Sequence, residues 1–284
     1  MITIPHSELT VRDTRLTSMT PTVLTYVGRV ADHNDRGMAG SPLTGRALST
    51  RLGREWRVVG TPEPADPGEW QETLAQAIPG LLELQAAHDE ILGESQPALV
   101  TLPRCAGSIA TLPNLARTRP DAVVVWLDAH GDLNTPFSTP TSNLGGMVLS
   151  AAAGWWDSGL GAGLATHNIV LGGTRDFDPF ERTLVDNGVI AWAPVPTIVE
   201  DLSAIIGNRP VYVHLDCDVL DPGIVPTDYH VPGGLSLATL NEVAHCLAGN
   251  EVVGVEIAEF EAPADPADTK DYVTPLLDAL APLF

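Results

Sequence analysis

Two acidic segments of this sequence combine residue types and spacings that suit metal ions. The first segment carries Asp128, His130 and Asp132 at alternate positions. The second carries Asp216 and Asp218 in the same alternation. Residues two apart in extended backbone point to the same side, so the side chains of each segment can project together. Carboxylates with one imidazole suit divalent ions of intermediate to hard character, Mn²⁺ foremost.

Both segments begin where an apolar stretch typical of a buried strand ends, at residues 122–127 and 210–215. Burial of several carboxylates is costly unless cations pair with them. Two ions that share carboxylates lie roughly 3.5–4 Å apart, and a water between them becomes hydroxide near neutral pH. Aspartates that cap helices or form turns are the alternative for either segment alone. The two segments together favour a binuclear metal site.

Short apolar, β-branched stretches alternate with longer helical patterns, which is typical of a mostly parallel sheet covered by helices on both faces. The pattern predicts roughly eight strands, at residues 23–30, 56–60, 98–102, 122–127, 168–172, 189–192, 210–215 and 252–258. It predicts helices at residues 69–92, 108–117, 180–187, 237–247 and 270–280. Glycine- and proline-rich loops follow several strands, so they should surround one cleft at the carboxyl ends of the sheet.

The composition limits the partners and the compartment of the chain. Its 284 residues include 15 basic and 36 acidic ones, a formal charge of −21 that disfavours nucleic acid and anionic membranes as partners. We expect one large domain at residues 21–284 after a polar extension at 1–20. The extension lacks the apolar core of a signal peptide, and three cysteines make no disulfide framework, so we expect a cytoplasmic protein.

The sequence resembles the ureohydrolase superfamily, which includes the arginases and agmatinases. The resemblance rests on the two acidic segments, on Gly-Gly-Leu at 233–235 and on Glu-Ile-Ala-Glu at 256–259. It extends from residue 22 to the C-terminal end. It implies an arginase-like three-layer α-β-α sandwich, hydrolysis of guanidines, and two Mn²⁺ ions per chain.

The same resemblance implies a role for each residue of the acidic segments. Asp128 and Asp216 would bridge the two ions. Asp132 would complete the site of one ion and orient the attacking hydroxide. His130 and Asp218 would complete the site of the other ion.

The resemblance also implies contacts with a substrate. Glu259 would hold its guanidinium, whose planar donors fit a carboxylate. Asn134, Thr141 and Asn143 would bind an α-carboxylate. Asp178 would lie near an α-amino group. Together these residues favour a guanidino amino acid over decarboxylated agmatine, although each alone is also typical of a turn or a surface position.

The chain departs from the superfamily pattern after the third predicted strand. Arginases carry Gly-Gly-Asp-His-Ser there and use its His as a metal ligand. This chain has Cys105 or Gly107 at that place, depending on the side from which the positions are counted. Only Cys105 could ligate, as a softer thiolate that changes the metal's charge and selectivity. The alternative is a site with one metal and a small buried Cys105; Cys217 and Cys246 are expected to be structural.

A second departure removes the His that arginases use for acid-base chemistry, because this chain has Gly145 at that position. General acids typically accelerate such steps by about 10²–10⁴-fold, so we expect arginine to be a poor substrate. Either His230 replaces the missing acid, or the substrate is more reactive than arginine. An Nω-hydroxyguanidine is such a substrate, because its electron-withdrawing hydroxyl lowers its basicity.

The two departures together are similar to the amidinohydrolases of D-cycloserine biosynthesis. That similarity implies hydrolysis of Nω-hydroxy-L-arginine to hydroxyurea and L-ornithine by a hydroxide that bridges the metal ions. Two alternatives stay open: hydrolysis of arginine or another guanidino acid with His230 as the acid, and a noncatalytic protein with a single metal. The chain stops after its last predicted helix, without the tail that helps arginases to form trimers, so we expect a monomer.

Overall fold

The protein is built on one parallel sheet. The computed structural model describes residues 22–94 and 97–284, and within them eight strands pair. They are β1 (Thr22–Tyr26), β2 (Glu55–Val59), β3 (Ala98–Thr101), β4 (Val123–Leu127), β5 (Ile169–Gly172), β6 (Ala191–Ala193), β7 (Val211–Asp216) and β8 (Val252–Ala258). Their order across the sheet is β2-β1-β3-β8-β7-β4-β5-β6. This topology confirms the predicted fold class, whereas the predicted extension at 1–20 lies outside the described residues.

Helices cover both faces of the sheet and complete three layers. Those of the described residues are α1 (Arg36–Leu52), α2 (Trp70–Ile91), α3 (Ser108–Thr118), α4 (Val148–Ala152), α5 (Pro179–Asp186), α6 (Ile198–Ile206), α7 (Leu237–Leu247) and α8 (Thr269–Ala279). One hydrophobic core lies between the sheet and α2, α3 and α4, and the other lies between the sheet and α1, α6, α7 and α8. Strand residues alternate between the two cores, as Trp126 and Leu127 do. In the described parts of the chain, no helix has the length and apolarity that a membrane span requires.

The sequence pattern does not predict α1, because glycine, serine, threonine and proline make up much of this helix. The packing of the helix explains these residues. A Cβ at Gly40 would lie 1.9 Å from the carbonyl oxygen of Phe260, and one at Gly45 would lie 2.0 Å from Oγ1 of Thr25. The glycines therefore let α1 lie directly against the sheet and the loop after β8. Tertiary packing outweighs low helix propensity here.

Four neighbouring strands at the centre of the sheet end at the same edge. Strands β3, β8, β7 and β4 pair in this order and are parallel. Cys105 follows β3, Asp128 follows β4, and Asp216 ends β7. Glu259 follows β8 directly. The topology thus makes neighbours of Cys105 and Glu259, which are 154 positions apart in the sequence.

Candidate active site

Two groups of potential metal ligands meet at this edge of the sheet. The first group consists of Cys105, Asp128 and Asp216. The second consists of Asp128, His130 and Asp218. Within each group the potential ligand atoms all lie within 4.8 Å of one another. Because the groups share Asp128, they have the arrangement that a carboxylate between two ions requires.

The carboxylates of these residues are buried close together, and their hydrogen bonds do not fully compensate for this burial. Oδ2 of Asp218 is buried and makes no hydrogen bond with a described residue, although it lies 3.1 Å from Nδ1 of His130. Burial and neighbouring carboxylates hold the pKa of Asp132 and that of Asp216 well above their ordinary range. Burial lowers the pKa of His130, but the adjacent carboxylates of Asp128 and Asp218 outweigh burial and raise this pKa to about 12. Divalent cations would take the place of these protons, so the donor set fits a pair of metal ions.

Hydrogen bonds fix the orientation of the carboxylates. Oδ2 of Asp128 accepts a hydrogen bond from Nε1 of Trp126 at 2.9 Å, and Oδ1 accepts one from the backbone N–H of His130 at 2.6 Å. Oδ1 of Asp216 accepts one from the backbone N–H of Asp218 at 2.7 Å. Such outer contacts orient ligands before a metal binds.

Two residues of the site have an unusual backbone conformation. Asp132, which lines the adjoining cavity but belongs to neither ligand group, has a φ of 50°. Glu259 has a φ of 62°. The left-handed region costs a residue with a Cβ about 1–2 kcal/mol, and such strain is concentrated at functional sites. Asp132 is predicted to orient the attacking hydroxide, and Glu259 is predicted to hold the guanidinium of the substrate.

A buried polar chain that the sequence analysis does not identify lies behind Cys105. Its Sγ lies 3.1 Å from Nε2 of His214 and 2.9 Å from Oδ2 of Asp216. Nδ1 of His214 lies 2.9 Å from Oε2 of Glu256, and its ring stacks on Trp126 with centroids 3.5 Å apart. Burial and the nearby carboxylates hold the pKa of the Cys105 thiol well above its ordinary value, so a thiolate there needs a cation as its partner. In the sequence, the feature that could have predicted this buried polar network is His214, a histidine inside an apolar strand.

Glu259 contacts two groups of the segment between β3 and α3. Oε1 accepts a hydrogen bond from the backbone N–H of Cys105 at 2.8 Å, and Oε2 accepts one from Nη1 of Arg104 at 2.8 Å. Burial raises the pKa of Glu259 to about 7, against the lowering effect of the Arg104 guanidinium. Arg104 was not predicted as a site residue from the sequence, although a charged residue directly before a buried cysteine is a signal.

A cavity of about 250 Å³ adjoins the ligand groups. The residues predicted to bind substrate all line it: Asn134, Thr141, Asn143, Asp178 and Glu259. Asp178 is also the N-cap residue of α5, and its Oδ2 accepts a hydrogen bond from Nδ2 of Asn134 at 2.7 Å. Oδ1 of Asn143 accepts one from the backbone N–H of Gly145 at 2.9 Å. Asp178 therefore caps a helix and Asn143 accepts a local turn hydrogen bond, while both residues also line the cavity.

The structure brings Gly145 to the cavity but leaves His230 outside. Gly145 lines the cavity, whereas His230 is exposed and is not among the described residues that line it. The neighbouring Tyr229 does line the cavity. So does His33, which the sequence analysis does not identify and whose Nδ1 lies 3.1 Å from Oδ2 of Asp228. The geometry gives no support to a proton-donating role for His230.

Sequence and fold are both similar to those of known proteins. The sequence model of the Arginase family matches residues 100–280. The chain is 42% identical over 259 residues to an N(omega)-hydroxy-L-arginine amidinohydrolase of Streptomyces lavendulae, which covers 90% of this chain and 94% of that protein. It is 32% identical over 152 residues to hepatic arginase of Aquarana catesbeiana, which covers 45% and 46% of the two chains. The solved structure of arginase from Bacillus cereus matches with a TM-score of 0.78 at 25% identity, over 93% of this chain and 97% of that one.

Proposed function

Because the chain belongs to the arginase family, we propose that it is a hydrolase that converts Nω-hydroxy-L-arginine and water into hydroxyurea and L-ornithine. The observation that carries the proposal is the pair of ligand groups that share Asp128, beside a cavity lined by Glu259. The relative from Streptomyces lavendulae, similar over nearly its whole length, supports the hydroxylated substrate.

Two Mn²⁺ ions are the proposed cofactors. The residues that would hold them are Cys105, Asp128, His130, Asp132, Asp216 and Asp218. Carboxylate oxygens with one imidazole suit Mn²⁺, and the thiolate of Cys105 would add a softer ligand. When bound, the ions would lower the pKa of a water towards neutrality and polarise the substrate.

The chain's own residues would position the reacting atoms. The oxygen of a water adds to the guanidine carbon, the bond from this carbon to Nδ of the ornithine portion breaks, and the departing amine takes up a proton. Asp132 would accept a hydrogen bond from the attacking water. Glu259 would accept N–H groups of the substrate, since each of its carboxylate oxygens has a second lone pair. Held in this way, the guanidine carbon faces the water in a reactive geometry.

The cavity also offers partners for the amino acid end of the substrate. Thr141 and Asn143 carry a hydroxyl and an amide that can donate to an α-carboxylate. Asp178 can accept from an α-amino group, and its hydrogen bond to Asn134 fixes its orientation. A guanidino amino acid would therefore be held at both ends.

Gly145 supports a hydroxylated guanidine over arginine. The position lines the cavity and offers no side chain that could transfer a proton. A hydroxyguanidine is less basic than a guanidine, so it reaches its neutral form without a strong base at this place. The proposal therefore assigns no proton transfer to His230.

Product analysis tests this proposal. The Mn²⁺-loaded protein should release equimolar L-ornithine and hydroxyurea from Nω-hydroxy-L-arginine. Asp128→Asn should lose bound metal and nearly all activity, because both ligand groups depend on Asp128. Asp186→Asn is the matched control, since Asp186 pairs only with the exposed Arg182 among the described ion pairs. A protein with two bound Mn²⁺ that releases no ornithine would refute the proposal.

A further inference from the structure

Arg104 already donates a hydrogen bond to Glu259, the residue whose carboxylate is proposed to receive the substrate. Its Nη1 donates to Oε2 of Glu259 at 2.8 Å, while the backbone N–H of Cys105 donates to Oε1 at 2.8 Å. Arg104 directly precedes Cys105. One short segment therefore supplies both a proposed metal ligand and the cation that pairs with Glu259.

A network of carboxylates holds the guanidinium of Arg104 in place. Nε donates to Oδ1 of Asp32 at 3.0 Å, and Nη2 donates to Oε1 of Glu261 at 3.1 Å. Oδ2 of Asp228 lies 3.9 Å from Nη1. The side chain of Arg104 is 5% exposed and that of Asp32 is fully buried. Because the guanidinium of Arg104 is desolvated and its donors are paired, moving it aside for a substrate would be costly.

This network changes the charge that a substrate meets at Glu259. A carboxylate without a partner would attract a cationic guanidinium more strongly than Glu259 does, because Nη1 of Arg104 already donates to Glu259 and offsets part of its charge. A cationic substrate at Glu259 would also lie close to the positive charge of Arg104, and like charges repel strongly where water is excluded. A hydroxyguanidine in its neutral form avoids the repulsion and can still donate to the second lone pairs of Glu259.

We propose that Arg104 is a positioning residue that determines specificity. It fixes the carboxylate of Glu259 and selects a neutral hydroxyguanidine over the cationic guanidinium of arginine. The identity of the preferred substrate rests on the proposed function. The effect of Arg104 on the charge preference of the pocket is a separate, measurable property.

Arg104→Gln tests the inference directly, with kcat and KM measured separately for L-arginine and Nω-hydroxy-L-arginine on Mn²⁺-loaded protein. We expect the KM for L-arginine to fall, and the preference in kcat/KM for the hydroxylated substrate to fall by at least about tenfold. Arg36→Gln is the matched control, because Arg36 pairs with the same Glu261 at 2.8 Å without a described contact to Glu259. A preference in Arg104→Gln within about twofold of the wild-type value would overturn the proposal.

Two more variants separate charge from folding. Arg104→Gln alone leaves Asp32 buried without its cation, whereas Arg104→Gln combined with Asp32→Asn removes one charge of each sign. The double variant should show the same reduced preference as the single variant. Arg104→Lys keeps the positive charge and should retain most of the wild-type preference. A Lys variant that loses the preference as fully as the Gln variants would overturn the charge argument.

A competition measurement on the wild type needs no variant. L-Citrulline carries a neutral ureido group where L-arginine carries a guanidinium, and their sizes are similar. We expect L-citrulline to compete with the substrate at least as well as L-arginine does. An inhibition constant for L-arginine more than about tenfold below that for L-citrulline would overturn the inference. If the protein did not hydrolyse Nω-hydroxy-L-arginine, the proposed function would fail. The relative binding of L-arginine and L-citrulline to wild type and Arg104→Gln would still decide the role of Arg104.

Discussion

A histidine at position 145 should give this chain efficient hydrolysis of arginine. Gly145 lines the cavity, and a Cβ there would lie 3.4 Å from its nearest described neighbour, Oδ1 of Asn143. The backbone N–H of Gly145 donates to this same oxygen at 2.9 Å, a contact that a side chain does not remove. Gly145→His therefore adds an imidazole to the cavity without displacing backbone.

The expected gain follows from the missing proton transfer. A general acid typically contributes about 10²–10⁴-fold, and an added imidazole without evolved partners should act at the lower end. We expect kcat for L-arginine to rise about 10²-fold, which lowers the barrier by about 3 kcal/mol. The kcat for Nω-hydroxy-L-arginine should change by less than about threefold, because this less basic substrate already reaches its neutral form without a proton-transferring side chain at position 145. Initial rates of ornithine release with both substrates measure the two effects.

Gly145→Leu controls for the bulk of the new side chain, because leucine reaches into the cavity but carries no titratable proton. The decisive case is a Gly145→His protein that binds two metal ions and retains its activity on Nω-hydroxy-L-arginine. If it hydrolysed L-arginine no faster than Gly145→Leu, the absence of an acid at position 145 would not explain the substrate preference.

Three further predictions concern the metals and the core. Cys105→Ala should lose about one of two bound Mn²⁺ ions in elemental analysis, whereas the half-buried Cys246, far along the chain on α7, should be replaceable by Ala without loss of metal. Chelation should lower the Tm, because ions at about 100 times their Kd stabilise the folded state by about 2.7 kcal/mol. Burial lowers the pKa of His88 to about 4, so between pH 6.5 and 4 the unfolded chain binds a proton that the folded one does not, and stability falls as the pH falls. Urea unfolding of the metal-free protein at pH 7 and pH 4.5 measures how far the free energy of unfolding falls between these two pH values. This fall should be smaller by about 2–3 kcal/mol in His88→Gln than in the wild type.

The sheet was predictable because its strands are short, apolar and β-branched, with polar loops after them. The prediction fails where packing between distant segments decides the local structure. Helix α1 contains glycines that are needed for contact with Phe260 and Thr25, and neither contact is visible in the local sequence. The short helix α6 was also not predicted, because it directly follows a proline-containing turn at Val195–Thr197.

In the candidate site, the aspartates were predictable and their surroundings were not. Asp128 and Asp216 stand where buried strands end, and the alternation around them is local information. The partners of Arg104 and His214 are distant: Arg104 meets Glu259 155 positions later, and His214 meets Cys105 109 positions earlier. Such pairs arise only when parallel strands bring their carboxyl ends together.

The most direct measurement is the ratio of kcat/KM for Nω-hydroxy-L-arginine to that for L-arginine, on protein shown to contain two Mn²⁺ ions per chain. We expect a ratio of at least about 10², with ornithine and hydroxyurea as products and no turnover after chelation, because the general acid that arginine hydrolysis needs is missing. Equal kcat/KM values for the two substrates would contradict this expectation.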